Sequence, residues 1–365
     1  MKKTTAVLYF GGTTLSVTVA SRGLGDSFII HARETCEYNG IIDGEFVDAA
    51  NLYSVVSETV KTALGSNSAK IDTIHIGVPH AFCDCFVSSS ALNFEKPRKI
   101  SQKDITKLIN SVNHSDPNRT VVKRSAIYYR TDGGRAYLNA LGLLAKNVEA
   151  RISLLTVSNY FINTMRSCLG LGFKLDFIPC ALAESLYLIG EETRDQTAVM
   201  ISCGMFSTAV SVCCGDSLMY LKSFEQGIAH IINDVSTVLG VNFQTANQLV
   251  GEALLSIKMG ENDNYEISSG GKKQKFSALA VNDIIKGRME VMADHIVRIA
   301  ATADKNILNT NSVFICGGNM DAISGARDFL SKAIGTYIKE CICPLTHQNN
   351  DKLTQDAVIN MSFQG

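Results

Sequence analysis

Two stretches of this chain repeat one pattern: an apolar, β-prone run, a turn rich in glycine and hydroxyl residues, and a second apolar run. In the first, residues 6–10 lead into Gly11-Gly12-Thr13-Thr14 and then 15–20. In the second, residues 199–203 lead into Gly204, Met205, Phe206, Ser207 and Thr208, and the run continues to 214. Each copy has a further turn, at 22–26 and at 215–216, and a third strand-like run, at 27–36 and 217–223. A glycine between strands lets backbone N–H groups approach a phosphate, because no Cβ stands in the way. The repetition predicts two related units facing one cleft, with Thr13, Thr14, Ser207 and Thr208 as candidate partners of phosphate oxygens. Ordinary β-meanders with hydroxyl-capped turns give the same pattern, so the repeat alone leaves both readings open.

At 365 residues the chain exceeds one typical core, and length suggests about two or three domains. Hydrophobic residues make up 46% and charged residues 19%, enough apolar material for packed interiors. A formal net charge of −1 gives no general electrostatic reason to expect nucleic acid as a partner. The eleven cysteines include the close pairs Cys83/Cys85, Cys213/Cys214 and Cys341/Cys343, but no CxxC pair. They read as buried, free thiols in a reducing cytosol, Cys203 among them. His75 and His80 have no partner in sequence and do not suggest a metal site. No stretch approaches the ~18 apolar residues of a membrane span, and the N-terminal run breaks at Gly11-Gly12, so a cytoplasmic protein is expected.

Along the chain, helices are predicted at 48–64, 101–112, 159–169, 179–189, 227–239, 244–255, 283–308 and 324–334, from apolar spacing and caps. Strands are predicted at 71–78, 82–93, 121–129, 135–143, 148–155, 173–177 and 312–316, with a small hairpin or loop at 260–271. From Pro344 the tail reads as polar and weakly patterned until 357–363. The domain expectation is a first unit of 1–81 and 155–195, an inserted α+β unit of 82–154, and a second unit of 196–365 with a smaller subdomain near 241–308.

This order of elements resembles the actin-like ATPase superfamily and, within it, the bacterial cell-division protein FtsA. GIAHIINDVSTVLG, starting at Gly227, is similar to the helix that follows the second phosphate turn in that family. SVFICGGNMDAISGARDFL looks like the adenosine turn, with Gly317 and Gly318 beneath the nucleotide, and IIKGRMEVM like the base-pocket helix, with Arg288 and Glu290 near the purine. On spacing alone Arg288 and Glu290 read equally as a solvated pair. The resemblance implies an α/β fold of duplicated β-β-β-α-β-α domains, actin-like (ribonuclease H-like), around a central cleft, with an inserted FtsA-type subdomain.

The resemblance also implies ATP and Mg²⁺, yet the chain departs from the family at the metal. Where aspartates are expected before each phosphate turn stand Tyr9 and Ser202, and Ala209 occupies a third acidic position. Met205 and Phe206 replace glycines. Hydrolysis needs a metal-oriented phosphate and an activated water, and these turns hold no carboxylate. The expectation is a degenerate nucleotide site and no catalytic residue, which weighs against ATP and Mg²⁺ as bound ligands. The tail lacks a basic amphipathic stripe of the kind that lies on lipid, so no direct membrane anchor is expected. The implied role is an actin-like scaffold in division or morphogenesis, able to self-associate. It would bind a tubulin-like ring protein or other division proteins, which would recruit it to the inner face of the membrane. The alternatives are an active ATPase or kinase of the superfamily, and an adaptor for a pilus or secretion assembly.

Overall fold

A computed structural model describes residues 4–24, 27–65, 71–269, 272–310, 312–317, 320, 323–341 and 352–364. The first sheet contains β1 (Thr4–Phe10), β2 (Thr14–Arg22), β3 (Phe28–Glu37), β4 (Thr73–Val78) and a fifth strand, Lys174–Pro179. Its order is β3-β2-β1-β4-fifth; the first three strands are antiparallel and the last two join in parallel. The strands of the second sheet are Thr197–Cys203, Thr208–Cys214, Ser217–Phe224, Val313–Cys316 and Ile338–Glu340. It has the same order and the same alternation of antiparallel and parallel pairs. The duplication expected from the two turns is therefore present in the whole topology. Central strands of both sheets are buried on both faces, which is why they read as continuous apolar runs rather than alternating ones.

Helix α1 (Ala49–Leu64) covers β2 and β3, and Asp48 caps it by accepting from the Asn51 amide. The inserted unit is a sheet of β5 (Cys83–Lys99), β6 (Arg119–Thr131), β7 (Ala136–Tyr137) and β8 (Leu144–Ser158), with α2 (Gln102–Asn110) packed on it. Ser101 and Asp104 form the expected capping box at the start of α2. Residues 135–143 were expected as a strand, but only Ala136 and Tyr137 pair. The Asn139 side chain accepts the Leu141 amide, and Gly142 has φ +79, so the chain turns there instead. The insert rests on the third strand of the second sheet. Ser217 Oγ donates to the Ala126 carbonyl at 2.9 Å, and Lys222 lies 3.7 Å from Asp84.

After α3 (Asn159–Leu169) and the parallel strand Lys174–Pro179, α4 (Cys180–Leu188) leads between the lobes. The second lobe adds α5 (Ile228–Leu239), α6 (Phe243–Glu252), a hairpin of Asn264–Ser269 with Lys272–Ser277, α7 (Ala278–Ala303) and α8 (Ala326–Ile334). Helix α7 starts earlier than its apolar spacing predicts because Ser277 caps the Ala280 amide.

The tail departs most from the sequence reading. Residues Leu353–Ser362 form α9, buried along almost its whole length, and it packs on α4 and β1 of the first lobe rather than on the second unit. A helix surrounded by protein shows no apolar stripe. Its polar residues have partners instead: Gln355 Nε2 donates to Ser16 and Thr18 at 2.8 and 2.9 Å, and Asp356 lies 3.7 Å from Arg33. Among the described residues no helix is long and apolar enough to cross a membrane.

Candidate functional site

The two glycine turns have the same backbone. The Gly11 amide donates to the Thr14 carbonyl at 2.7 Å, and the Gly204 amide to the Ser207 carbonyl at 2.8 Å. Gly12 and Met205 thus hold equivalent places, and they meet across the cleft. A Cβ on Gly12 would stand 2.4 Å from Met205 Cβ, and one on Gly40 would stand 2.7 Å from Phe206 Cε2. No side chain fits at either position. Met205 therefore presses the second turn directly against the first, and Phe206 packs on Gly40 beside them.

The amides of the following helix are also engaged. Ile228 N and Ala229 N, in the first turn of α5, donate to the carbonyls of Gly204 and Met205 at 3.1 and 2.8 Å. A helix N-terminus binds an anion through amides left without partners, and these two are taken. Gly227 makes the contact possible, since a Cβ there would fall 2.3 Å from the Gly204 carbonyl oxygen.

The floor of the cleft holds a carboxylate that the turns lack. Glu184, on α4, is 1% exposed. Its Oε2 accepts from Ser202 Oγ at 2.6 Å and lies 2.9 Å from His80 Nε2, while Oε1 accepts from Thr354 Oγ1 at 2.6 Å. The four residues come from α4, the second sheet, the segment after β4, and α9. Burial alone pushes the Glu184 carboxyl up, but the His80 charge and the three hydrogen bonds outweigh it and hold it below its ordinary range. Burial lowers His80, and the neighbouring carboxylate more than offsets this, so its pKa is raised. Tyr9 is pushed well above its usual value, first by burial and then by Cys180 and Glu184. The carboxylate is thus satisfied by protein donors. Both histidines do have partners, contrary to the sequence reading: His75 Nδ1 lies 2.7 Å from Asp176 Oδ2. Among the described residues no cluster of three His, Cys, Asp or Glu could hold a metal.

The cleft has a volume of about 650 Å³. Of the residues expected at the site, Gly11, Gly12, Thr13, Thr14, Gly204, Ser207 and Gly317 line it, together with Tyr9 and Ser202. Gly317 has φ +97 and lies so close to the Cys203 carbonyl that a Cβ would come within 2.6 Å of its oxygen. Gly318 lies outside the described residues. Thr208 does not face the cleft: its Oγ1 donates to the Gln226 carbonyl at 2.7 Å. Arg288 is held by Asp234 of α5 through Nε and Nη2 at 2.6 and 2.9 Å, and Glu290 is exposed. Sequence reasoning missed Glu184, Thr354 and the partner of His80. The available signal was a lone acid in the apolar helix sequence CALAESLYL.

These residues fit Mg²⁺–nucleotide poorly. The two glycine turns meet through Met205, the helix amides are engaged, and the nearby carboxylate already has its donors.

No protein-family model matches the chain. It is 23% identical over 299 residues to the cell division protein FtsA of Enterococcus faecalis, spanning 78% of this chain and 66%, under two thirds, of that protein. It is 20% identical over 343 residues to FtsA of Streptococcus pneumoniae, spanning 91% of this chain and 74% of that one. Among solved structures, a PilM–PilN type IV pilus biogenesis complex aligns over 100% of both chains with TM-score 0.64 and 10% identity. MreB 5 of Spiroplasma citri bound to AMPPNP aligns over 98% of this chain and 96% of its own, with TM-score 0.57 and 9% identity. The chain is thus similar in sequence to the cell division protein FtsA and shares the actin-like α/β fold of these solved structures.

Proposed function

We propose that this protein is an FtsA-like scaffold in bacterial division or morphogenesis whose two lobes are held together by the protein itself rather than by Mg²⁺–ATP. The contact of Met205 with Gly12, and of Phe206 with Gly40, carries this reading, because it puts side chains where phosphates would bridge the lobes. The Ser202–Glu184–Thr354 bonds support it by joining the second sheet to α4 and α9. Hydrolysis would need a carboxylate free to orient a metal or a water, and Glu184 is engaged by three donors. The remaining cleft residues, Gly11, Gly12, Thr13, Thr14, Gly204, Ser207 and Gly317, are then what is left of a nucleotide cradle. The partners on this reading are division proteins and further copies of the chain.

The test is a thermal melt of the full chain with ATP and Mg²⁺, read beside phosphate release. The expected result is a Tm unchanged within about 1 °C and no turnover, since saturation at 100 times Kd would add about 2.7 kcal/mol. A Mg²⁺-dependent rise of several degrees with phosphate release would establish an active ATPase instead.

A second reading, an adaptor in a pilus assembly, is favoured by one observation: the chain aligns end to end with the PilM–PilN structure. Localisation separates the two. A division scaffold gathers at the septum and co-purifies with the tubulin-like ring protein, and a pilus adaptor does neither.

A further inference from the structure

We propose that the tip of the inserted subdomain docks on an anionic lipid bilayer. Residues 83–158 contain twelve Lys and Arg against six Asp and Glu, in a chain whose net charge is −1. The insert therefore carries +6 and the rest of the chain −7. A bulk charge near zero conceals a strongly basic unit joined to an acidic body.

The tip presents apolar side chains from a fixed backbone. Gly142 N donates to the Ile100 carbonyl at 2.9 Å, Ile100 N to the Leu143 carbonyl at 3.0 Å, and Leu143 N to the Ala140 carbonyl at 3.2 Å. Ala140 and Ile100 are buried beneath this turn. Two leucines point outward from it, Leu144 at 68% and Leu141 at 50% exposed, whereas Leu138 lies beside Gly215 of the second lobe. The inner residues satisfy the packing of the insert without them.

Cations share this subdomain with the leucines. Leu144 pairs with Lys99 across β8 and β5, so the two side chains share a face. Lys96, Lys103, Arg130, Arg135 and Lys146 are all exposed. Nearby acids are mostly engaged. Asp104 binds Arg98 through both oxygens at 2.7 and 2.8 Å, Asp132 accepts the Lys146 and Asn147 amides, and Glu149 stands opposite Arg130.

Exposed leucines on a subdomain rich in exposed lysine and arginine match the two layers of a membrane interface. The acyl boundary accepts the apolar groups and the anionic headgroups attract the cations. Nucleic acid would satisfy the cations and leave the leucines in water. The proposal does not depend on whether the cleft binds nucleotide.

The test is co-sedimentation of the full chain, without nucleotide, with vesicles of phosphatidylcholine containing about 30% phosphatidylglycerol, against pure phosphatidylcholine. Binding is expected to be at least about tenfold stronger to the anionic vesicles and to weaken at high salt. Leu141→Ser with Leu144→Ser should abolish it, and Lys99→Glu with Arg135→Glu and Lys146→Glu should weaken it about a hundredfold. All five positions are exposed, so unchanged melting curves should accompany both variants. The proposal is overturned if the wild type does not pellet with anionic vesicles, or if either variant pellets as well as the wild type. It is also overturned if the variants lose only self-association in the absence of vesicles, which would assign the tip to a second copy of the chain.

Discussion

At the end of β1 the chain reads Gly-Gly-Thr-Thr; at the equivalent place in the second sheet it reads Gly-Met-Phe-Ser. Both turns close with a glycine amide donating three residues ahead, at 2.7 and 2.8 Å. The backbone is conserved between the halves while the side chains have diverged in complementary directions: one turn is bare at the point where the other is bulky. Strand ends differ in the same sense. The first lobe offers Tyr9, whose hydroxyl is pushed away from ionisation chiefly by burial, and the second offers Ser202, which donates to Glu184. Two turns with the same backbone form the two halves of a direct lobe-to-lobe contact.

The largest effect is expected from Glu184→Ala, which strands Ser202, His80 and Thr354 and severs the link between second sheet, α4 and α9. Breaking a buried, hydrogen-bonded charge pair costs about 3–5 kcal/mol, measurable as a lower denaturant midpoint. A loss below about 1 kcal/mol would show that the cluster does not hold the lobes.

Next is the steric match between the turns. Gly12→Ala should cost about 1–3 kcal/mol, because its Cβ has no space beside Met205. Combining it with Met205→Gly should recover most of that loss, and a thermodynamic cycle would read the coupling. Additive costs would mean that the turns do not press on each other.

The smallest effect is pH dependence. Because His80 is raised when folded, its contribution is complete below its ordinary value of 6.5 and is lost as pH rises through the higher folded value. Because Glu184 is lowered, its contribution is complete above its ordinary 4.5 and is lost as pH falls through the lower folded value. Stability from the pair is therefore greatest between those two ordinary values. Raising the pH to 9 should lower the Tm of the wild type by about 2 °C more than that of His80→Gln. Parallel pH profiles for the two proteins would rule out a charged pair.

Much of the fold was legible in order along the chain. The capping box at Ser101 and Asp104 and the repeated strand–turn–strand units rest on contacts between near neighbours. The same locality explains why Gly11, Gly204 and Gly317 could be placed at the cleft. Arg288 illustrates the limit: its helix was recognised, but its partner, Asp234, lies on another helix. The tail illustrates it differently. Helix α9 is buried on nearly every side, so it lacks the amphipathic period by which helices are read.

Local sequence, then, determined that this chain would build one α/β unit twice and that neither glycine turn carries a carboxylate, because strand alternation, turns and caps depend on residues a few positions apart. Tertiary structure alone decided which carboxylate reaches the cleft and what holds it. Glu184 meets Ser202, His80 and Thr354 across separations of 18, 104 and 170 positions, and Met205 finds the space above Gly12 only when the two lobes face each other. Side chains that far apart carry no shared pattern along the chain. Their relation comes from the packing of α4 and α9 between the sheets, and it brings the two glycine turns into direct contact.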